Sequence, residues 1–207
     1  MRAIVKGNEP ACLTQHRAID PTDYANYGGK TALRVALVSE QRGLCCYCMS
    51  PIAADGLSMR IEHWQSQSGY PNQRLVYANL LAACRGGEGG NADQYHCDKL
   101  KDDQDLKWNP ATPAHAIEAR LKYRNNGEIL SDDPELDEEL NTILGLNIAT
   151  LKNRRKGVLD GLIKWWQMKQ PNQGKVRAKV NQYETGAGNL EPYSPVAIWF
   201  LKRKLAT

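Results

Sequence analysis

The sequence predicts an α+β fold that is mainly α, with a small β element around a set of cysteines and a helical C-terminal extension. Three observations predict it. Cysteines gather between positions 45 and 97 around two short apolar segments. Apolar residues recur at helical spacing through the C-terminal half. Asn126-Gly127 stands between two short alternating runs, as the turn of a small hairpin does. With 42% hydrophobic and 24% charged residues among 207, the chain has the balance of an ordinary globular protein. No apolar run approaches the roughly 20 residues of a transmembrane helix. The first ten residues lack the apolar core of a secretory signal, so a cytoplasmic location is expected.

In chain order, the apolar spacing at 32–41 predicts a short helix that Gly43 terminates. Alternation over 57–61 predicts a half-buried strand ending at Glu62 and His63. Gly69-Tyr-Pro-Asn72 marks a loop, 75–77 and 79–81 read as a second strand region, and the glycine-rich 85–91 reads as flexible loop. A hairpin is expected over 122–130. Asp133 before Pro134 is an N-cap with proline at the first helical position, followed by Leu136, Leu140, Ile143 and Leu144 up to Gly145. A longer amphipathic helix is predicted over 149–169, stopped by Pro171, and a last one over 195–204.

The net charge of +4 permits a polyanionic partner without demanding one. Acidic residues gather at 132–139 and basic ones at 152–156, 175–179 and 202–204, so the C-terminal third carries the positive surface.

Six cysteines in a chain expected to sit in a reducing compartment read as metal ligands or redox sites rather than disulfides. Cys45 and Cys48 form a Cys-x-x-Cys knuckle, the shortest spacing at which a reversed chain points two thiolates at one zinc ion. A thioredoxin-type pair shares the spacing but needs a βαβ context that is absent here. Cys84 and Cys97 are the candidates for the other half of a tetrahedral site, although the twelve residues between them are an unusual insertion. Cys12 and Cys46 stay outside the set, which four ligands fill. Between the two pairs stand Glu62-His63 and then Asn79, and Asp98 follows Cys97. A carboxylate beside a histidine at a strand end suits a divalent cation and a water, and Asp98 could add a second metal ligand from the start of a helix.

With these residues in this order, 45–101 resembles the HNH endonuclease family in its zinc-containing form, whose fold is a ββα-metal module. The resemblance implies that His63 is the general base, that Glu62 and Asp98 bind a catalytic Mg²⁺ or Mn²⁺, that Asn79 organises the loop between the strands, and that Cys45, Cys48, Cys84 and Cys97 hold a structural Zn²⁺. The family's last motif position usually holds histidine or asparagine, so His96, two residues before Asp98, is the alternative ligand. The chain at large is similar to a narrower group, the PtuB-like HNH subunits of Septu-type and retron-associated anti-phage systems. That likeness is carried by Arg60-Ile-Glu-His-Trp64, Tyr77-Ala-Asn-Leu-Leu81, Cys84-Arg-Gly, His96-Cys-Asp-Lys99, the Tyr123 to Ile129 hairpin and Pro192-Tyr before an aromatic-rich final helix. It implies an effector nuclease acting on DNA or RNA with an ABC/SMC-like, PtuA-like ATPase, and in retron-associated members with a reverse transcriptase and its RNA–DNA.

On this basis 1–44 is expected to be an N-terminal segment with a lead-in helix, 45–108 the metal module, and 109–207 a hairpin and helical region that docks a partner. The rival, from a different class, is a non-catalytic zinc-ribbon adaptor that binds an ATPase or nucleic acid. Trp165, Trp166, Trp199 and Phe200 are either part of that docking surface or simply core.

Overall fold

In the computed structural model, which describes residues 1–19 and 22–206, the architecture is α+β and mainly helical, as the sequence predicts. Helices α1 (Ala11–Arg17) and α2 (Lys30–Glu40) come first. α2 buries Leu33, Leu37 and Val38, and Arg42 and Gly43 then turn the chain with φ of 54° and 76°. A Cβ on Gly43 would lie 2.6 Å from the Asn189 side chain, so the expected helix terminator is also a point of close approach.

Strands β1 (Met59–His63) and β2 (Leu80–Cys84) pair antiparallel, with Met59 opposite Cys84 and His63 opposite Leu80. Two strands alone are marginal in water. Here the whole of β2 is buried, α2 packs on it, and its outer edge is satisfied by side chain and knuckle. The Gln41 amide donates to Ala82 O (2.8 Å) and accepts from Ala82 N (2.7 Å), while the Cys46 N–H also donates to Ala82 O (2.9 Å). The expected strand at 75–77 is absent. Leu75 and Tyr77 are buried, but the chain there turns into a 3₁₀ turn at Tyr77–Asn79, and pairing begins only at Leu80. Residues 85–91 are held more closely than a flexible loop would be: Glu88 N bonds to Arg85 O, and Gly90 N to Gly87 O.

After the short helix α3 (Asp98–Lys101) come α4 (Ile117–Arg120) and the hairpin β3 (Leu121–Tyr123)–β4 (Ile129–Ser131). Gly127, at φ 83° in its turn, lies so close to the following long helix that a Cβ would fall 2.1 Å from Lys152 O. Asp133 caps α5 (Pro134–Glu138), accepting from Glu135 N and Leu136 N, but the helix continues as a π turn over Glu139–Ile143 rather than as α-helix.

α6 (Ala149–Lys169) has the predicted bounds, and α8 (Ser194–Leu205) nearly so. α7 (Gln173–Thr185) is an addition to the sequence reading, as is α1. α8 packs on α7 and α6. Arg155 of α6 is buried and binds Gly127 O and Leu146 O, both at 2.6 Å, which fixes the hairpin to the helix. One apolar core runs from Met1 through the cysteine region to Leu201. No described helix is long and apolar enough to cross a membrane.

Candidate metal centres and the cavity between β1 and α3

The four thiols come together. Cys45, Cys48, Cys84 and Cys97 are buried, and their sulfurs lie within 4.8 Å of one another, the one such group of ligand-type residues found among those described. Cys45 Sγ and Cys97 Sγ are 3.8 Å apart, and Cys48 Sγ and Cys84 Sγ 3.6 Å. A tetrahedron with zinc–sulfur bonds of about 2.3 Å puts its sulfurs about 3.8 Å apart, so the donor set fits one zinc ion. The knuckle reverses direction at Met49, whose φ is 64°. Cys84 ends β2, with its N–H donating to Cys45 Sγ (3.2 Å), and Cys97 precedes α3 at a positive φ of 52°. Although burial opposes it, hydrogen bonds from Cys46, Cys48, Cys84 and Cys97 hold the Cys45 thiol well below its ordinary range. Burial first, then the neighbouring thiols, push Cys97 well above it. Cys46 is buried beside the group without joining it. His96 turns the same way: its Nδ1 bonds Gln94 O (2.8 Å) and its Nε2 lies 3.7 Å from Cys84 Sγ.

Glu62, His63 and Asp98 instead line a cavity of about 450 Å³. β1 delivers the first two and the first residue of α3 the third. Glu62 is 2% exposed, and its Oε1 accepts from Tyr47 OH (2.8 Å) and faces Lys101 Nζ (3.2 Å). Burial first, and contact with the Asp98 carboxyl second, push Glu62 well above the carboxylate range, while Lys101 and Tyr47 pull it back. Two carboxyls in contact at a cavity wall repel when both are ionised. Oxygen donors of this kind fit a hard divalent cation.

His63 is 5% exposed, and its ring meets Tyr24 edge-on at 4.5 Å. Its Nε2 lies 3.0 Å from Arg74 O. A carbonyl only accepts, so Nε2 carries the proton and Nδ1 the lone pair. Burial, partly offset by that carbonyl, lowers the imidazole to about 4. Asn79 closes the loop that supplies Arg74: its Oδ1 accepts from Gln65 N (2.8 Å), and its Nδ2 donates to Gln65 O (3.0 Å) and Gln73 O (3.1 Å).

Sequence reasoning missed Tyr47 and Tyr24, and it has Lys101 only as the end of a Cys-Asp-x-x-Lys run, without a role. Lys101 is 1% exposed and also donates to His63 O (3.1 Å), although a lysine one turn after a carboxylate is an ordinary surface pattern.

No family profile matches the chain. Among curated proteins, the chain is similar to the Septu protein PtuB of Bacillus thuringiensis, at 27% identity over 92 residues that cover 42% of this chain. The matched stretch spans only 36% of that relative's length.

Proposed function

We propose that this chain is a metal-dependent HNH endonuclease that hydrolyses phosphodiester bonds of DNA or RNA, as the effector of an anti-phage defence system working with a PtuA-like ATPase. The observation that carries the reading is that Glu62, His63 and Asp98 line one cavity, in a strand–strand–helix succession beside four clustered cysteines. The defence role and the ATPase are supported by the similarity to a Septu protein.

In this reading Cys45, Cys48, Cys84 and Cys97 hold zinc, and 45–108 is the catalytic module. Glu62 and Asp98 hold a Mg²⁺ or Mn²⁺ ion, which when bound supplies charge to the scissile phosphate and the leaving oxygen. His63 takes a proton from the attacking water at Nδ1. The Arg74 carbonyl fixes that tautomer, and burial keeps the ring neutral near pH 7. Asn79 shapes the loop and touches no substrate. Asp98 is preferred to His96 as ligand because it lines the cavity, whereas His96 faces Cys84.

The test is incubation of the full chain with plasmid, single-stranded DNA and total RNA in Mg²⁺ or Mn²⁺, with and without the ATPase. Cleavage that needs the ion supports the reading, and no cleavage in any combination overturns it. One observation favours the adaptor as second reading: Glu62 is almost wholly buried and already tied to Tyr47 and Lys101, as in a structural ion pair.

A further inference from the structure

Three arginines of the cavity wall form a continuous row. Arg60 of β1 reaches Asp98 through Nε (3.7 Å) and Glu88 through Nη2. Glu88 gives its other oxygen to Arg85. Arg85 in turn donates from Nη1 to Gly56 O (2.9 Å), and Arg34 Nη2 borders the same glycine, 3.7 Å from where a Cβ would stand. The row thus runs from the carboxylate next to the cysteine cluster, along the glycine-rich turn, to α2.

The members differ in what they hold. Arg60 and Arg85 share the carboxylate of Glu88, one on each oxygen. Arg34 holds none among the described residues, and its buried Nε has no hydrogen-bond partner there. A shielded guanidinium N–H without an acceptor is uncommon, because the lost water contact is normally replaced. Asp55 feels Arg34 electrostatically but forms no ion pair with it among the described residues, and its Oδ1 accepts from Leu57 N and Ser58 N. Guanidinium forks are matched to anions with two adjacent oxygens, carboxylate or phosphate.

We propose that Arg34, Arg85 and Arg60 form a subsite for the phosphodiester backbone flanking the scissile phosphate, with Glu88 as a resident carboxylate that the incoming phosphate displaces. The proposal deepens the nuclease reading and rests on it for the position of the scissile phosphate. Glu88 suits the exchange: it sits between Gly87 and Gly89, both at positive φ, and its side chain is only half-buried. Asp102 and Asp103, exposed carboxylates of the same cavity, disfavour a polyanion. They are more fully screened by salt than a partly shielded guanidinium row.

The test is equilibrium binding by the full chain in a His63→Ala background, which separates binding from cleavage. The probes are a fluorescein-labelled 20-base-pair DNA duplex and single-stranded DNA and RNA 20-mers, titrated at several salt concentrations. Arg34→Ala should weaken binding about fivefold to tenfold and reduce the salt slope by about one, as loss of one phosphate contact does. Arg34→Lys should recover part of the affinity, and Glu88→Ala should tighten binding about threefold. Zinc content and circular dichroism serve as controls for folding. If Arg34→Ala binds all three probes with the background affinity and slope, or if the background protein binds none of them, the subsite is overturned. Cleavage lost with His63 but indifferent to Arg34 would sink this subsite alone. Arg34-dependent binding by a wild-type chain that cuts nothing would sink the nuclease reading and leave an anion site.

Discussion

The His63 imidazole donates from Nε2 to the backbone carbonyl of Arg74 at 3.0 Å, so the ring's one lone pair is on Nδ1. If His63 is the base, His63→Ala should reduce plasmid nicking by about 10²–10⁴-fold, the usual worth of a general base. Zinc content and thermal midpoint should stay near wild type. Wild-type nicking by the variant would remove His63 from the mechanism.

Metal analysis of freshly purified, chelator-free protein should find one equivalent of zinc, and Cys84→Ser should lose most of it. Removal of the metal should unfold the module, because ligand binding energy there is folding energy. Less than about half an equivalent in wild type would defeat this assignment.

Lys101 lies between Glu62 Oε1 and His63 O at 3.2 and 3.1 Å, with the Lys101 and Glu62 side chains almost wholly buried. Lys101→Met should cost about 1–3 kcal/mol in urea unfolding, since it leaves His63 O and the buried Glu62 carboxyl, already held well above the carboxylate range, without their donor. Lys101→Met with Glu62→Gln should be more stable than Lys101→Met alone. A single-variant loss under about 1 kcal/mol would show that Glu62 finds its compensation elsewhere.

Asn79→Ala removes three hydrogen bonds at the base of the loop and should cost about 2–4 kcal/mol at the usual net worth of each. Asn79→Asp should do no better. It keeps an acceptor for Gln65 N but turns a second one toward the carbonyls of Gln65 and Gln73. An aspartate variant as stable as wild type would contradict this account.

A groove of about 350 Å³ contains Trp166, Trp199 and Phe200, with Arg203 over Trp199 and Lys204 over Trp166. Its cationic, aromatic lining suits an acidic segment of the proposed ATPase, aromatic and arginine residues being common at binding hot spots. Trp166→Ala and Arg203→Glu should each weaken co-purification with that ATPase. Full retention by both would move the docking surface elsewhere. Deleting α8 is no substitute test, because Val196, Ala197 and Leu201 belong to the core.

Much of the scaffold was legible in the sequence where one local signal sufficed. α6 follows its apolar spacing, the hairpin follows Asn126-Gly127, and α5 follows the Asp133 cap. α7 was not, because it buries only Val176 and Val180, too narrow a stripe to stand out. Nor was α1, which buries Leu13 alone. The misread strand at 75–77 shows the limit of periodicity: Leu75 and Tyr77 are buried by a turn that the Asn79 side chain organises from outside their own segment. At the candidate site, the order of cysteines, Glu62, His63, Asn79 and Asp98 was visible. The surroundings that set their chemistry were not, because Tyr47, Tyr24, Arg74 and Lys101 reach Glu62 and His63 only after distant segments pack together.

Helix α3 has four residues, too few to stand as a free helix in water. It behaves as a short beam clamped at both ends: Cys97 anchors one end in the sulfur cluster, and Lys101 the other against β1. A beam fixed in this way cannot tilt at one end without loading the other. Slack at the cysteines would therefore be felt at Asp98, one residue away, so the placing of the two carboxylates depends on how firmly that end is moored.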